Sequence, residues 1–262
     1  MIAGLEGRSI ALLLAAHGEQ REDTINAGAK RLADALSSRN VVSEVGLGFI
    51  KGTPSISEAL RTFTAAEIVV YPLFASDGYF ARDRLMQLLK EAEPSNHSIH
   101  VLPPLGVDPG LAGLITQQAA IYARTNGFSS DEAVIVLMAH GSRYNSASRL
   151  ATERLAQGVK QCGLFRSVRI ALLEESPSLH QATADVAGPI LVIGLFCGNG
   201  MHGAGDVPRL IAELGRGDVV FGGNIVNFEG IEQLVVASVT RILKYSFGSN
   251  FKAQHKQWRK SG

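Results

Sequence analysis

Cysteine is scarce in this chain: two residues, Cys162 and Cys197, among 262. They lack the paired spacing of a zinc finger and cannot build a disulfide framework, which points to a reducing compartment. An excess of charge of one sign is missing as well. Twenty-five Lys and Arg face twenty-four Asp and Glu, a formal net charge of +1, so no global field argues for a nucleic-acid or membrane partner. Aromatic residues make up 6% of the chain, and no basic–aromatic interleaving occurs before the last dozen residues. Long apolar runs are absent too. The opening MIAGLEGRSIALLLAAH holds a run of only about six apolar residues and no basic preamble, too little for an export signal or a membrane span. A cytoplasmic protein is expected, and no phosphate-cradling loop suggests a nucleotide.

What is present is built twice. Val134–Ser142, VIVLMAHGS, is an apolar run that ends abruptly in His-Gly, the mark of a buried strand handing over to a functional loop. The phrase occurs earlier as Ile10–Gly18, IALLLAAHG, so His17 and His140 stand 123 residues apart. At the same offset Val45, Leu47 and Phe49 become Val168, Ile170 and Leu172, and Thr53-Pro54-Ser55 becomes Ser176-Pro177-Ser178. At 122, Leu73-Phe74 becomes Leu195-Phe196 and Gly78 becomes Gly200. Chance reproduces hydrophobic periodicity, but not prolines in register.

In the first half, strands are predicted at 9–16, 41–49, 67–74 and 97–103. Helices are predicted on the stripe Ala29, Leu32 and Leu36, behind Thr53-Pro54-Ser55, and over 83–92 and 111–123. Alternating strands and helices, twice over, predict an α/β protein: tandem duplicated three-layer α/β/α domains with mainly parallel four-stranded sheets. The expected domains are 1–126 and 127–246, with polar residues 125–131 as linker. Residues 247–262 form a basic tail, with Lys252, Lys256, Arg259 and Lys260 beside Phe251 and Trp258, read as a solvated terminus.

Sites in open α/β sheets form beyond the carboxyl ends of the strands. There the second half places His140, Ser142 and Arg143; Glu174 and Glu175; and Cys197, Asn199, His202 and Asp206. The first half places His17, Glu19 and Arg21; Lys51; and Asp77, Phe80, Arg82 and Asp83. Two imidazoles and a carboxylate from three strands suit a divalent ion such as Co²⁺, Ni²⁺, Fe²⁺ or Zn²⁺. Phe80 and Lys51 hold the matching first-half positions, and neither completes such a set. One metal centre is therefore expected, in the second half and facing the cleft. Plainer roles stay open for each residue: a histidine after a strand can bond its own loop, Glu174 or Glu175 can be a solvated carboxylate, and Cys197 can be a small buried side chain. His97, His100, His180 and His255 have no arrangement that recommends them.

Three motifs carry a family likeness. LMAHGSR at 137–143 (with AAHGEQR at 15–21), LLEESPS at 172–178 and LFCGNGMHGAGDVP at 195–208 resemble those of the CbiX-like sirohydrochlorin cobaltochelatases, in their long form of two fused domains within the class II chelatases. The likeness spans about residues 9–245. It implies insertion of a divalent metal, cobalt ahead of iron and nickel, into sirohydrochlorin in cobalamin synthesis. The metal is then a substrate, and no prosthetic group is implied. His140 and His202 would bind the incoming ion, and Glu174 or Glu175 would assist it or receive pyrrole protons. An anionic tetrapyrrole calls for cations and polar groups; Arg143, Ser142, Arg21, His17 and Asn199 are the expected substrate contacts, with Arg82 and Arg84 further out. The chain departs from the pattern in its first half, where DGYFARD puts Phe80 at the third-motif histidine and FIKGTPS puts Lys51 where a carboxylate belongs. No nucleic-acid or membrane partner is implied, and the chain would act as a monomer or homodimer. The same residues leave open a metal or tetrapyrrole carrier or sensor without catalysis, a siroheme-type ferrochelatase, or a metal-dependent hydrolase with a small pocket.

Overall fold

The computed structural model describes residues 9–18, 26–92, 97–198 and 205–247. Strand β1 (Ile10–Ala16) is buried along its whole length, as is β5 (Val134–Ala139). Successive side chains of a strand point to opposite faces, so each of these runs serves two cores: Leu12 and Leu14 face one, Ala11 and Leu13 the other. With β2 (Glu44–Phe49), β3 (Glu67–Leu73) and β4 (Ser98–Val101), β1 forms a parallel sheet of order β2-β1-β3-β4. The second sheet, from β5, β6 (Ser167–Leu172), β7 (Ile190–Gly194) and β8 (Val219–Asn224), repeats it as β6-β5-β7-β8.

The repeat extends to helix starts. Before α2 (Ile56–Thr62), Ser55 Oγ accepts from Glu58 N and the Glu58 carboxylate accepts from Ser55 N at 2.7 Å. Before α6 (Leu179–Thr183), Ser178 and Gln181 form the same reciprocal pair. The preceding Thr53-Pro54 and Ser176-Pro177 bonds are both cis.

Helices α2 and α3 (Leu85–Glu91) cover the outer face of the first sheet, and α6 and α7 (Val207–Glu213) that of the second. Between the sheets lie α1 (Ala27–Ser38), α4 (Leu111–Thr125), α5 (Ala147–Gln161) and α8 (Ile231–Phe247), around a single continuous core that includes Leu14, Ile115, Leu137 and Val239. The last helix of each half is exchanged. α4 packs on β7, β8 and α5, whereas α8 packs on β3 and α1. The unit of duplication and the unit of packing thus differ by one helix. Polar groups fix the exchange: buried Asp108 accepts from Tyr71 Oη of β3 at 3.0 Å and from Ser238 Oγ of α8, and Gln118 Nε2 of α4 donates to Glu229 O at 3.0 Å.

Element ends shift modestly from the sequence reading. Residues 41–43 bend rather than extend β2, β4 is short, and α4 runs on to Thr125. The helix expected at 83–92 starts earlier, in a π-helical turn over Phe80–Arg84 that runs into α3. No described helix is long and apolar enough to cross a membrane. Glu19, Arg21, Asn199, His202 and tail residues 248–262 lie outside the described residues.

Candidate functional site

Strand order reverses between β1 and β3, and again between β5 and β7, so each sheet opens a crevice beyond the carboxyl ends of those strands. Both crevices contribute to one cavity of about 770 Å³. β1 delivers His17 and Gly18, β3 delivers Phe74 and Ser76, β5 delivers His140, Gly141 and Ser142, β6 delivers Glu174, and β7 delivers Phe196 and Cys197. The volume falls in the range of roughly 300–1,000 Å³ usual for small-molecule sites.

The two His-Gly turns share a backbone design. His17 O accepts from Lys51 N at 2.8 Å, and His140 O accepts from Glu174 N at 3.0 Å, which ties each turn to the strand beside it. Gly18 has φ +91°, and a Cβ there would sit 1.6 Å from the Lys51 carbonyl oxygen, so only glycine fits. Gly141 has φ +73° and would press on Glu175. In each ring Nδ1 lies 3.1 Å from the next residue's carbonyl oxygen. A carbonyl only accepts, so this contact puts a proton on Nδ1, and the tautomer with its lone pair on Nε2 is the one in which imidazole ligates metals.

The adjacent carboxylates go different ways. Glu174 is exposed and lines the cavity. Glu175 turns back into the loop: Oε1 accepts from Ser142 N at 3.0 Å, and Oε2 accepts from Arg149 Nε at 3.1 Å and Nη2 at 2.6 Å. The Ser142 N–H and then the Arg149 guanidinium hold the Glu175 carboxyl below the usual carboxylate range. Of the pair, Glu174 is placed to meet a ligand and Glu175 to brace the turn that carries His140. Ser142 lines the cavity, with Oγ accepting from Tyr144 N at 3.2 Å.

The repeat aligns His17, Lys51 and Phe80 with His140, Glu174 and His202. In the first half the outer members of that set touch: the Phe80 ring lies 4.7 Å from the His17 ring at 83°, edge to face. Among the described residues no three His, Cys, Asp or Glu side chains converge as a metal-holding group.

Of the expected cations, the three that are described, Arg143, Arg82 and Arg84, do not line the cavity. Arg143 is exposed beside it and donates from Nε to Glu174 O at 3.0 Å, Arg82 pairs with Asp77, and Arg84 donates to Gln87 at 3.0 Å. Cys197 lines the cavity, and burial pushes its thiol up to about 12. It is therefore a neutral surface at physiological pH rather than a thiolate ligand. Tyr79, Tyr144 and Ser148 also reach the cavity without having been singled out in the sequence. For Tyr79 the signal was there, in DGYFARD beside Phe80.

The sequence profile of the CbiX family matches residues 11–121 and again residues 134–241. The chain belongs to the CbiX family. A protein of Halobacterium salinarum described as a probable sirohydrochlorin cobaltochelatase is 26% identical over 221 residues, covering 76% of this CbiX chain and 75% of that protein. The sirohydrochlorin cobaltochelatase of Methanocaldococcus jannaschii is 38% identical over 82 residues, 29% of this chain and 57% of that protein. The solved structure of a CbiX described as the terminal enzyme of siroheme biosynthesis in denitrifying bacteria superimposes with a TM-score of 0.70 at 23% identity, covering 89% of this chain and 99% of that one. SirB from Bacillus subtilis with Fe³⁺ gives 0.76 at 15% identity, covering 94% and 98%. At these identities the solved structures speak for the fold.

Proposed function

We propose that this CbiX protein is a metal chelatase that inserts a divalent ion, cobalt first, into sirohydrochlorin. The observation that carries the reading is the shared cavity of about 770 Å³ with His140 and Glu174 at its wall. Support for the macrocycle comes from the family and from the names of the Halobacterium and Methanocaldococcus relatives.

Insertion exchanges one divalent cation for two pyrrole protons. The site must hold an ion by few ligands, seat a flat ring and accept protons. His140 Nε2 is one ligand in this scheme, and His202 is the other. Internal symmetry supports the pair, since Phe80, the counterpart of His202, lies against His17, the counterpart of His140. Glu174 balances the ion's charge and takes the two pyrrole protons one after the other, releasing the first to solvent before it accepts the second. Arg143, exposed beside the cavity, and Arg21 are the partners for the substrate's carboxylates in this scheme, with Ser142, His17 and Asn199 as polar contacts. Imidazole and carboxylate donors accept Co²⁺, Fe²⁺ and Ni²⁺ alike. Cobalt follows the relatives' names. Two free cysteines suit a reducing, cytoplasmic setting.

The test mixes the protein with sirohydrochlorin and Co²⁺, Fe²⁺ or Ni²⁺ and follows the macrocycle absorbance. Acceleration above the protein-free rate is expected, greatest with Co²⁺. No acceleration with any ion would end the enzyme reading, and tight binding without turnover would make the protein a carrier.

A further inference from the structure

Three large aromatic side chains stand open on the cavity wall: Tyr79 is 55% exposed, Phe80 40% and Tyr144 96%. Tyr79 and Phe80 belong to the half that lacks the ligand set, and they touch each other. The Phe80 ring is gripped edge to face by His17 at 4.7 Å and by Tyr79 at 5.4 Å, contacts that fix its orientation without covering it. It opens the π-helical turn Phe80–Arg84, a widened turn of the kind often found at functional sites. Neither Lys nor Arg lines the described cavity beside it. Such a wall offers no cation to a carboxylate, and it offers a broad apolar surface to a flat π face.

We propose that Phe80, with Tyr79, is the stacking wall on which one face of the substrate macrocycle rests, leaving the opposite face to His140 and Glu174. The inference rests on the chelatase reading and adds a specificity-determining pair that no ligand role assigns. The substitution that removes an ion ligand from the first half thereby gives the cavity two unlike sides, one for the ring and one for the metal. A pre-set ring pays little ordering entropy when the macrocycle arrives.

The full-length protein is titrated with metal-free sirohydrochlorin, followed by fluorescence quenching, and assayed for insertion. Phe80→Leu keeps apolar bulk but removes the flat face, while Phe80→Trp keeps a flat face. Phe80→Leu is expected to weaken macrocycle binding and raise KM by about tenfold, with kcat within about threefold and uptake of Co²⁺ alone unchanged. Phe80→Trp should restore binding, and the more exposed Tyr79→Leu should shift it in the same direction as Phe80→Leu; it carries the test should Phe80→Leu not fold. Wild-type macrocycle affinity in both leucine variants would overturn the stacking wall and leave the chelatase reading standing. Failure of the wild type to bind sirohydrochlorin at all would overturn both.

Discussion

At the residue scale the two neighbouring glutamates separate by what holds them. Glu174 faces the cavity, so Glu174→Gln should lower metal insertion by about 100-fold, the size of a lost general base, with Tm unchanged. Glu175 accepts from Ser142 N and Arg149, and Glu175→Gln should destabilise the protein by about 1 kcal/mol, a modest figure because the pair is partly exposed. The sign with pH follows from the direction of its shift. A carboxyl lowered in the folded state contributes fully above its ordinary value and loses that contribution as pH falls through the lowered one. Thermal melts from pH 7 to 3 should show the Glu175→Gln deficit shrinking toward acid. Cys197 gives a second check: its thiol, raised to about 12, should alkylate far more slowly at pH 8 than exposed Cys162, read by mass spectrometry. The sequence could name LLEES but not divide it, because β6 ends at Leu172 and strand alternation no longer says where the next side chains point.

At the element scale the exchange of α4 and α8 decides how damage spreads. Ile115 of α4 is fully buried, and Ile115→Ala should cost about 2–5 kcal/mol. Hydrogen exchange should show the loss of protection first in β7 and β8, the strands α4 covers, rather than in its own half's β1 and β3. Loss of protection confined to β1 and β3 would contradict the exchange. The helix itself was legible as the span 111–123, ahead of the polar stretch 125–131. Which sheet it faces was not, because periodicity describes one element and says nothing of its partner. The strands fared better: parallel order and burial on both faces follow from continuous apolar runs joined by helical crossovers. The π-helical turn was missed because no residue type marks an extra residue in a turn.

At the scale of the whole molecule, two copies of one sheet enclose a cavity whose sides differ chemically. Duplication was legible at 123 residues' offset because prolines, caps and His-Gly turns recur together. The contact between Phe80 and His17 was not, since sequence shows only that a histidine is missing there. The division of labour proposed for the two halves places ion handling in the second and ring seating in the first. The direct measurement compares His140→Ala with His17→Ala in the insertion of Co²⁺ into sirohydrochlorin, each variant shown to be folded. His140→Ala should lose about 100-fold or more in kcat, and His17→Ala should stay within about fivefold. Equal losses in the two, or wild-type turnover in His140→Ala, would contradict it.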